Sequence, residues 1–320
     1  MIERRDFFTL VGGTALAWPL RARAQAARKP VVGVLFHSNP EPTLSLLRKA
    51  LQSNGHKEGE TIQLEVRVAA GSAARLAEMA AELVARKVDV IIAVTTPAAL
   101  AAKAATDSIP IVMGVVADPV GSKLVASLAR PGGNITGVSG AVAEVAGKIL
   151  GLLREALPAA ARIGVLANPT DPFHLRLIEQ IEVANKSVRA DLRVFKISKP
   201  DEIPAAFETM VAQGIAAAIV QPTLPLPDVI ALALKHRIAT ASPIRGYAEA
   251  GGLLSYAGKS AELFGVVAGQ IDQILKGAKP ADIPVRQPTQ FELVINMKTA
   301  KALGIKIPLS VLIRADRVIE

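Results

Sequence analysis

The sequence contains no cysteine among its 320 residues. This absence excludes disulfides, thiolate metal sites, cysteine nucleophiles and the lipid-modified cysteine of bacterial lipoproteins. Aromatic residues make up only 3% of the chain, whereas 51% of it is hydrophobic. The composition therefore predicts a large aliphatic core, which either one big domain or two linked lobes would bury.

Long hydrophobic runs are also missing after the N-terminal segment. The uncharged stretches at residues 90–102 and 214–227 both contain proline. Both are shorter than the ~18–20 apolar residues that are needed to span a bilayer. We therefore expect the mature chain to be soluble.

Residues 1–24 have the features of an export signal that is removed from the mature protein. Arg4 and Arg5 precede an uncharged stretch at residues 7–20, and the segment ends in the small-residue motif ARA. The paired arginines predict the twin-arginine route, cleavage after Ala24 and a periplasmic location. The alternative is an amphipathic helix or a membrane anchor, although residues 7–20 are short for a span.

The charge of the chain is basic but dispersed. The formal net charge is +9, and it falls to +7 without the four arginines and two acids of residues 1–24. Lysine and arginine occur singly along amphipathic segments and are not interleaved with aromatic residues. This distribution is typical of a solvated surface, so we expect no nucleic-acid partner.

Strand and helix patterns alternate along the chain. The strands are apolar throughout, which is typical of parallel sheets that helices cover on both faces. In the first half the pattern predicts strands at residues 29–36, 62–68, 88–94 and 110–116, and helices at 44–51, 73–86, 97–106 and 120–128. Later segments include a strand at 192–197, a long helix at 260–275 and a strand at 291–295.

The second half of the chain repeats the first. Gly33-Val34-Leu35 recurs as Gly164-Val165-Leu166, and Asn-Pro follows in the next loop each time. The repeat predicts an α/β protein with two Rossmann-like lobes, each containing a parallel sheet. We expect lobe I to comprise residues 25–139 and about 258–281, and lobe II residues 140–257 and about 282–320.

The segment between the two repeats is rich in glycine. Residues 130–140 (RPGGNITGVSG) carry no charge after the arginine. Such a segment can absorb backbone rotation, so we interpret it as part of a hinge with Gly137 as its candidate pivot. An ordinary linker without a designed motion is the alternative.

Ligands of parallel sheets bind at the carboxyl ends of the strands, where helix N-termini present free N–H groups. Thr95 and Thr96 end one strand directly before a helix, and they could hold a carboxylate or simply cap that helix. Asp118 could bind an ammonium group or act as a cap. The predicted ligand-binding residues are Ser38, Thr95, Thr96, Asp118, Asn168, Phe173, Gln221, Thr223, Tyr247 and Tyr256.

The aromatic residues in this set point to an apolar or planar ligand, although each could equally fill a core. His37 and His174 also fall in strand-end loops, and the sequence leaves open whether they contact ligand. Two imidazoles without a third ligand make a poor metal site, so we expect neither a metal nor another cofactor. A dinucleotide-binding G-x-G-x-x-G after the first strand and a G-x-S-x-G elbow are both absent, so we expect no catalytic residues.

Three stretches carry a family resemblance: residues 130–139 (RPGGNITGVS), 274–284 (ILKGAKPADIP) and 287–320 (QPTQFELVINMKTAKALGIKIPLSVLIRADRVIE). Together with the leader they resemble the poorly characterised substrate-binding proteins of bacterial ABC importers. The resemblance implies a type I periplasmic binding fold whose two lobes close on a small solute, and delivery of that solute to an inner-membrane permease. Some relatives bind aromatic amino acids.

We therefore expect a monomeric periplasmic receptor for an amino acid or a related carboxylate. Two other classes stay open on the sequence: a module that reports ligand occupancy to a membrane kinase, and an exported α/β enzyme. A neighbouring permease gene would distinguish the receptor from the sensor, and turnover of a substrate would indicate the enzyme.

Overall fold

The computed structural model describes residues 28–320, and the predicted export signal at residues 1–24 lies outside this range. The strands are β1 (Val31–Phe36), β2 (Gln63–Val68), β3 (Val90–Val94), β4 (Ile111–Val116), β5 (Ile135–Ser139), β6 (Arg162–Ala167), β7 (Asp191–Lys196), β8 (Ala217–Val220), β9 (Ala239–Ser242), β10 (Leu254–Gly258), β11 (Phe291–Asn296) and β12 (Arg317–Ile319). The helices are α1 (Thr43–Ser53), α2 (Ala73–Ala85), α3 (Thr96–Ala105), α4 (Val142–Ala156), α5 (Phe173–Val188), α6 (Ile203–Ala212), α7 (Leu226–Lys235), α8 (Ser260–Leu275), α9 (Met297–Leu303) and α10 (Leu309–Leu312).

The strands form two sheets, one in each lobe. The first sheet has the order β2-β1-β3-β4-β5, and the second has the order β12-β11-β10-β9-β8-β6-β7. Neighbouring strands are parallel in both sheets, except for the antiparallel pair β10 and β11. This architecture confirms the prediction of an α/β protein with two parallel-sheet lobes.

The internal repeat is visible in the strand order. In the first sheet β1 lies between β2 and β3, and in the second sheet β6 lies between β7 and β8. The second sheet continues through β9 and β10 as the first does through β4 and β5, and it then adds β11 and β12. The carboxyl ends of equivalent strands therefore lie at the equivalent edge of each lobe.

Local sequence explains why individual elements form. Helix α1 buries Leu44, Leu47 and Leu51, which share one face at helical spacing. Helix α2 begins after Ser72, whose side chain accepts a hydrogen bond from the backbone N of Arg75 at 3.4 Å. All five residues of β3 are buried, as expected for an apolar strand in the middle of a covered parallel sheet.

Helix α8 packs against the first sheet although it follows strands of the second. Phe264, Val267 and Ile271 of α8 share a hydrophobic cluster with Val32 and Val34 of β1. The chain therefore crosses between the lobes after β5, after β10 and before β11. These crossings create the multi-strand connection between the two lobes.

The third crossing lies beside the first. Arg286 pairs with Val138 in an isolated bridge, and its backbone O accepts from the N–H of Ser139 at 2.8 Å. Gln270, buried on α8, donates through Nε2 to the backbone O of Gly137 at 3.2 Å and of Pro284 at 3.1 Å. Hydrogen bonds therefore join the crossing segments at the end of the first sheet.

Residues 120–128 form a series of turns, so the prediction of a helix there is wrong. The N–H of Gly121 donates to Asp118 Oδ1 at 2.8 Å, and Lys123 has a φ of 56°, which a right-handed helix does not accept. Leu124 and Val125 are nevertheless buried in a hydrophobic cluster of the first lobe. The apolar spacing at this point reflects the packing of a loop.

Candidate functional site

The strand-end loops of the two lobes face each other, and we call the region between them the cleft. His37 follows β1 and Thr95 follows β3 in the first lobe, whereas Asn168 follows β6 and Gln221 follows β8 in the second. Ala117, in the loop after β4, packs against the hydrophobic core of the second lobe. Open α/β sheets bind their ligands at this edge, so this cleft is the candidate site.

Asp171 is the centre of a hydrogen-bonded network on the second lobe. Its Oδ2 accepts from Gln221 Nε2 at 3.0 Å and from Thr223 Oγ1 at 3.2 Å, and its Oδ1 accepts from the backbone N of Phe173 at 3.1 Å. Gln221 Oε1 accepts from the backbone N of Asn168 at 2.8 Å. The structure thus brings the predicted residues Asn168, Gln221 and Thr223 together around one carboxylate.

The carboxylate of Asp171 is buried without a salt bridge to any residue of the described chain, 28–320. Burial raises its pKa, while the hydrogen bonds from Phe173, Gln221 and Thr223 and the nearby His37 act in the opposite direction. A buried charge of this kind is costly unless a cation joins it. The network therefore presents a fixed acceptor for a positively charged group.

Sequence reasoning missed Asp171. The predicted set of ligand-binding residues includes Asn168 and Phe173 from the loop at residues 168–174 and omits Asp171. A usable signal was present, because Asp171 is the sole acidic residue of that loop. A carboxylate placed just before a helix at the carboxyl end of a strand is a candidate ligand contact, and it competes with the role of helix cap.

Thr95 has a strained backbone at the start of α3. Its φ of 83° and ψ of 161° lie in a region that glycine occupies almost alone. Among the described residues, its buried Oγ1 has no hydrogen-bond partner, and no side chain caps the N-terminus of α3. The alternative role of Thr95 as a helix cap is therefore not realised, and both its hydroxyl and the first turn of α3 keep free hydrogen-bonding capacity.

Thr96 connects α3 to the loop after β4. It is 2% exposed, and its Oγ1 accepts from the backbone N of Ala117 at 3.4 Å. Thr96 therefore fixes Ala117, the residue that touches the core of the second lobe. Its hydroxyl proton is still available for a further acceptor in the cleft.

His37 lies in the loop after β1 of the first lobe. It is 8% exposed, and its buried Nδ1 has no hydrogen-bond partner within residues 28–320. Burial lowers the pKa of the imidazole, and the carboxylate of Asp171 is close enough to raise it in part. His174 is also buried on the second lobe, and its Nδ1 lies 2.9 Å from the backbone O of Asp171.

Asp118 and Ser38 lie at the margins of the cleft. The Oδ1 of Asp118 accepts from the backbone N of Gly121, so its capping role is realised in a turn instead of a helix. Its charge also acts on Arg176 of α5 and contributes to the raised pKa of that guanidinium, which Glu179 raises most. Ser38 is exposed, and the neighbouring His37 is the residue of this loop that is buried.

The structure distributes the predicted aromatic residues over two hydrophobic clusters of the second lobe, with Phe173 and Tyr256 at one and Tyr247 in the other. Tyr247 is fully buried in the hydrophobic core of the second lobe, and Phe173 packs in another cluster of that lobe. Tyr256 on β10 stacks on Phe291 with ring centroids 5.6 Å apart, and the ammonium of Lys148 lies over both rings. Core packing accounts for the burial of Tyr247 and Phe173 in the second lobe, and Phe173 belongs to the cluster that Ala117 of the first lobe contacts.

Gly137 lies inside β5, where it pairs with Met113 of β4. Its φ is 135°, and an added Cβ would collide with the backbone of Met113. The close approach of two strands therefore explains why glycine is needed there. The chain leaves the sheet two residues later, at Ser139.

Within residues 28–320, no helix combines the length and the apolar character that crossing a membrane requires. The same part of the chain holds no group of three His, Cys, Asp or Glu side chains arranged to bind a metal ion.

Comparison with known proteins identifies the class to which this fold and cleft belong. The profile of the family described as ABC transporter substrate binding protein matches residues 31–319. The chain therefore belongs to this family and is a substrate-binding protein of an ABC transporter.

Individual relatives agree with this assignment. The chain is 30% identical over 262 residues to a tyrosine-binding protein of Clostridioides difficile, and the match covers 81% of this chain and 75% of that protein. The ABC domain from Streptococcus pneumoniae in complex with L-Trp superposes with a TM-score of 0.82 at 29% identity, covering 91% of this chain and all of the other.

A third relative is the ligand-free, open structure of a substrate binding protein with adhesive properties from Clostridium difficile. It superposes with a TM-score of 0.65 at 26% identity, covering 91% of this chain and 99% of the other. The overall arrangement of this chain is thus more similar to that of the L-Trp complex than to that of the open protein, at nearly the same sequence identity.

Proposed function

We propose that the cleft binds a free amino acid, with its two charged groups held by opposite lobes. The buried carboxylate of Asp171, which has no salt bridge within residues 28–320, carries this proposal. It suits an α-ammonium group, because a desolvated carboxylate that is fixed by hydrogen bonds gains most from a cation partner.

The α-carboxylate of the solute would lie at the start of α3. The free N–H groups of an uncapped helix N-terminus favour an anion, and the hydroxyls of Thr95 and Thr96 add donors. With Thr95 on one lobe and Asp171 on the other, a solute that carries both charges contacts both lobes. It therefore binds the closed arrangement better than the open one, and this differential affinity drives closure.

The solute class we propose is aromatic or large apolar amino acids. The printed names of two relatives, a tyrosine-binding protein and an L-Trp complex, support this class. The greater similarity to the L-Trp complex than to the open ligand-free structure supports a closed arrangement of the lobes. The side-chain subsite is part of the proposal, and Tyr247 is not included in it because it lies in the core.

We further propose that the mature chain is a monomeric, non-catalytic receptor in the periplasm without a cofactor. It would deliver its solute to an inner-membrane ABC permease after export through the signal at residues 1–24. The proposed lobes are residues 25–139 with about 258–281, and residues 140–257 with about 282–320. The hinge would comprise the crossing segments, with Gly137 at the end of the first sheet.

A binding screen tests the proposed function. Purified mature protein is titrated calorimetrically with L-tryptophan, L-tyrosine, L-phenylalanine, L-leucine, L-glutamate and D-tryptophan. We expect the aromatic L-amino acids to bind most tightly and to be recovered unchanged by mass spectrometry. If none of these amino acids binds, or if the solute is converted into a product, the proposed function is wrong.

A further inference from the structure

His37 is a buried residue whose hydrogen-bonding capacity the protein leaves unused. Its backbone O accepts from the N–H of Gly71 at 2.7 Å, which holds the loop after β1. The residue is 8% exposed, and its Nδ1 is buried without a hydrogen-bond partner in the described part of the chain. Because a buried polar atom without a partner costs free energy, this nitrogen is a candidate contact for a bound molecule.

The charges around His37 come from the opposite lobe. Asp171 is the charged group whose field acts on the imidazole, and His174 is the other titratable side chain buried at the start of α5. Arg176 is influenced instead by Glu179, Asp118 and Glu144, which lie further along the cleft. The residues at the start of α3 are uncharged. Among the charged groups of residues 28–320, Asp171 of the second lobe is therefore the one whose field reaches His37.

We propose that His37, as a neutral imidazole, accepts a hydrogen bond at Nδ1 from the same α-ammonium group that Asp171 binds. This inference rests on the proposed function, since it needs a solute with an ammonium group. The ammonium group has three N–H donors, and a buried ammonium group needs a hydrogen-bond acceptor for each of them. Asp171 supplies acceptors on the second lobe, and His37 supplies one on the first. The ammonium thus joins the two lobes directly.

The role requires His37 to be uncharged. Burial lowers the pKa of the imidazole below its ordinary value, so the neutral form is present at neutral pH. An imidazolium has no lone pair to offer and repels the ammonium. Protonation of His37 therefore opposes binding, and solute affinity falls as the pH decreases through the pKa of His37 in the unliganded protein. The fall is roughly tenfold for each pH unit below that pKa.

Two substitutions at His37 distinguish its role as a hydrogen-bond acceptor from the effect of its protonation. Asparagine can place an amide oxygen near the position of Nδ1 and does not titrate, so His37→Asn should keep amino-acid affinity near neutral pH and displace the acid-dependent fall to lower pH. The remaining fall comes from protonation of Asp171. Leucine offers no acceptor, so His37→Leu should weaken binding of an amino acid by roughly tenfold or more.

The experiment compares an amino acid with the same molecule lacking its amino group. Wild type and both variants are titrated with L-tryptophan and indole-3-propionate, and with L-tyrosine and 3-(4-hydroxyphenyl)propionate, between about pH 5 and about pH 8. We expect His37→Leu to weaken binding of the amino acids and to leave that of the desamino acids unchanged. His56→Gln is the control, because His56 pairs with Asp272 away from the cleft, and its pH profile should match wild type.

The outcomes distinguish this inference from the proposed function. If amino acids bind but the pH profile of His37→Asn equals that of wild type, or His37→Leu weakens both ligand types equally, His37 does not contact the ammonium. Either result overturns the inference and leaves amino-acid binding in place. If none of the amino acids of the binding screen binds wild type at any pH, the proposed function fails and the inference fails with it.

Discussion

A single buried carboxylate carries a large part of the site chemistry. Asp171 has three hydrogen-bond donors from its own lobe and the imidazole of His37 opposite, and burial still raises its pKa. An arrangement that costs folding stability while it prepares an ion for a ligand is typical of functional sites. We therefore expect stability and affinity to respond to Asp171 in opposite directions.

Asp171→Asn tests this expectation because it removes the charge and nearly preserves the shape. Loss of a charge-assisted hydrogen bond of about 1.5–3 kcal/mol should lower amino-acid affinity by roughly tenfold or more in titration calorimetry. The raised pKa means that ionisation destabilises the fold as the pH increases from the unfolded-state pKa to the folded-state pKa. The melting temperature of the variant relative to wild type should therefore improve across that interval.

Asp107→Asn is the matched control, since Asp107 is an exposed aspartate in a loop of the first lobe. It should leave amino-acid affinity unchanged. Unchanged affinity in Asp171→Asn would show that Asp171 has a structural role only.

At the scale of single elements, the start of α3 combines strain with function. Thr95→Gly should relieve a backbone strain of about 1–3 kcal/mol, offset by about 0.5–1 kcal/mol for the greater freedom of glycine in the unfolded chain. We expect the free energy of unfolding, measured with urea, to rise by about 1 kcal/mol. Affinity should fall by roughly tenfold because the hydroxyl is lost.

Thr209→Gly provides the comparison for Thr95→Gly. Thr209 is exposed on α6, where glycine destabilises the helix, so this change should lower the free energy of unfolding and leave affinity unchanged. A loss of stability in Thr95→Gly as well would contradict the assignment of strain at Thr95.

Strand β5 provides the second prediction at this scale. Gly137→Ala places a Cβ against the backbone of Met113, which cannot move without breaking the pairing of β4 and β5. We expect the free energy of unfolding to fall by more than about 4 kcal/mol. Gly132→Ala also introduces a side chain at positive φ, but into open space, and should cost only about 1–2 kcal/mol. Equal effects of the two changes would argue against close packing at Gly137.

At the scale of the whole molecule, solute binding should close the lobes. Ala117 already touches the core of the second lobe, an arrangement that we expect in the bound state. Small-angle scattering of wild type should show a smaller radius of gyration when L-tryptophan or L-tyrosine is saturating. The Asp171→Asn variant should show a smaller decrease in the radius of gyration at the same ligand concentration. Identical scattering curves with and without bound ligand would exclude closure as the mechanism.

The proposed export also concerns the whole chain. The double change Arg4→Lys and Arg5→Lys should leave uncleaved precursor in the cytoplasm, because the twin-arginine route depends on that pair. Immunoblots of cell fractions measure this, and the wild-type precursor is the control. Normal processing of the double variant would contradict the twin-arginine assignment.

Much of the architecture follows from local pattern. Helix α8 was predicted with the bounds that the structure has, and the recurrence of Gly33-Val34-Leu35 correctly indicated two similar lobes. The buried face of a helix or strand recurs every few residues along the chain. Apolar residues recur at the same spacing, so the pattern can be recognised in the sequence. Residues 120–128 show the limit, because apolar spacing alone does not distinguish a helix from a packed loop.

Sequence by itself therefore determined the fold class and the loops in which the candidate site lies, including Thr95, Thr96, Asn168, Gln221 and Thr223. Only the tertiary structure decided which side chains of those loops face the cleft. It buried Tyr247 in the core and placed Asp171 opposite His37. The physical reason is that strand and helix formation depends on neighbours in the sequence. The burial and pairing of a loop side chain instead depend on how two lobes, distant along the chain, pack together.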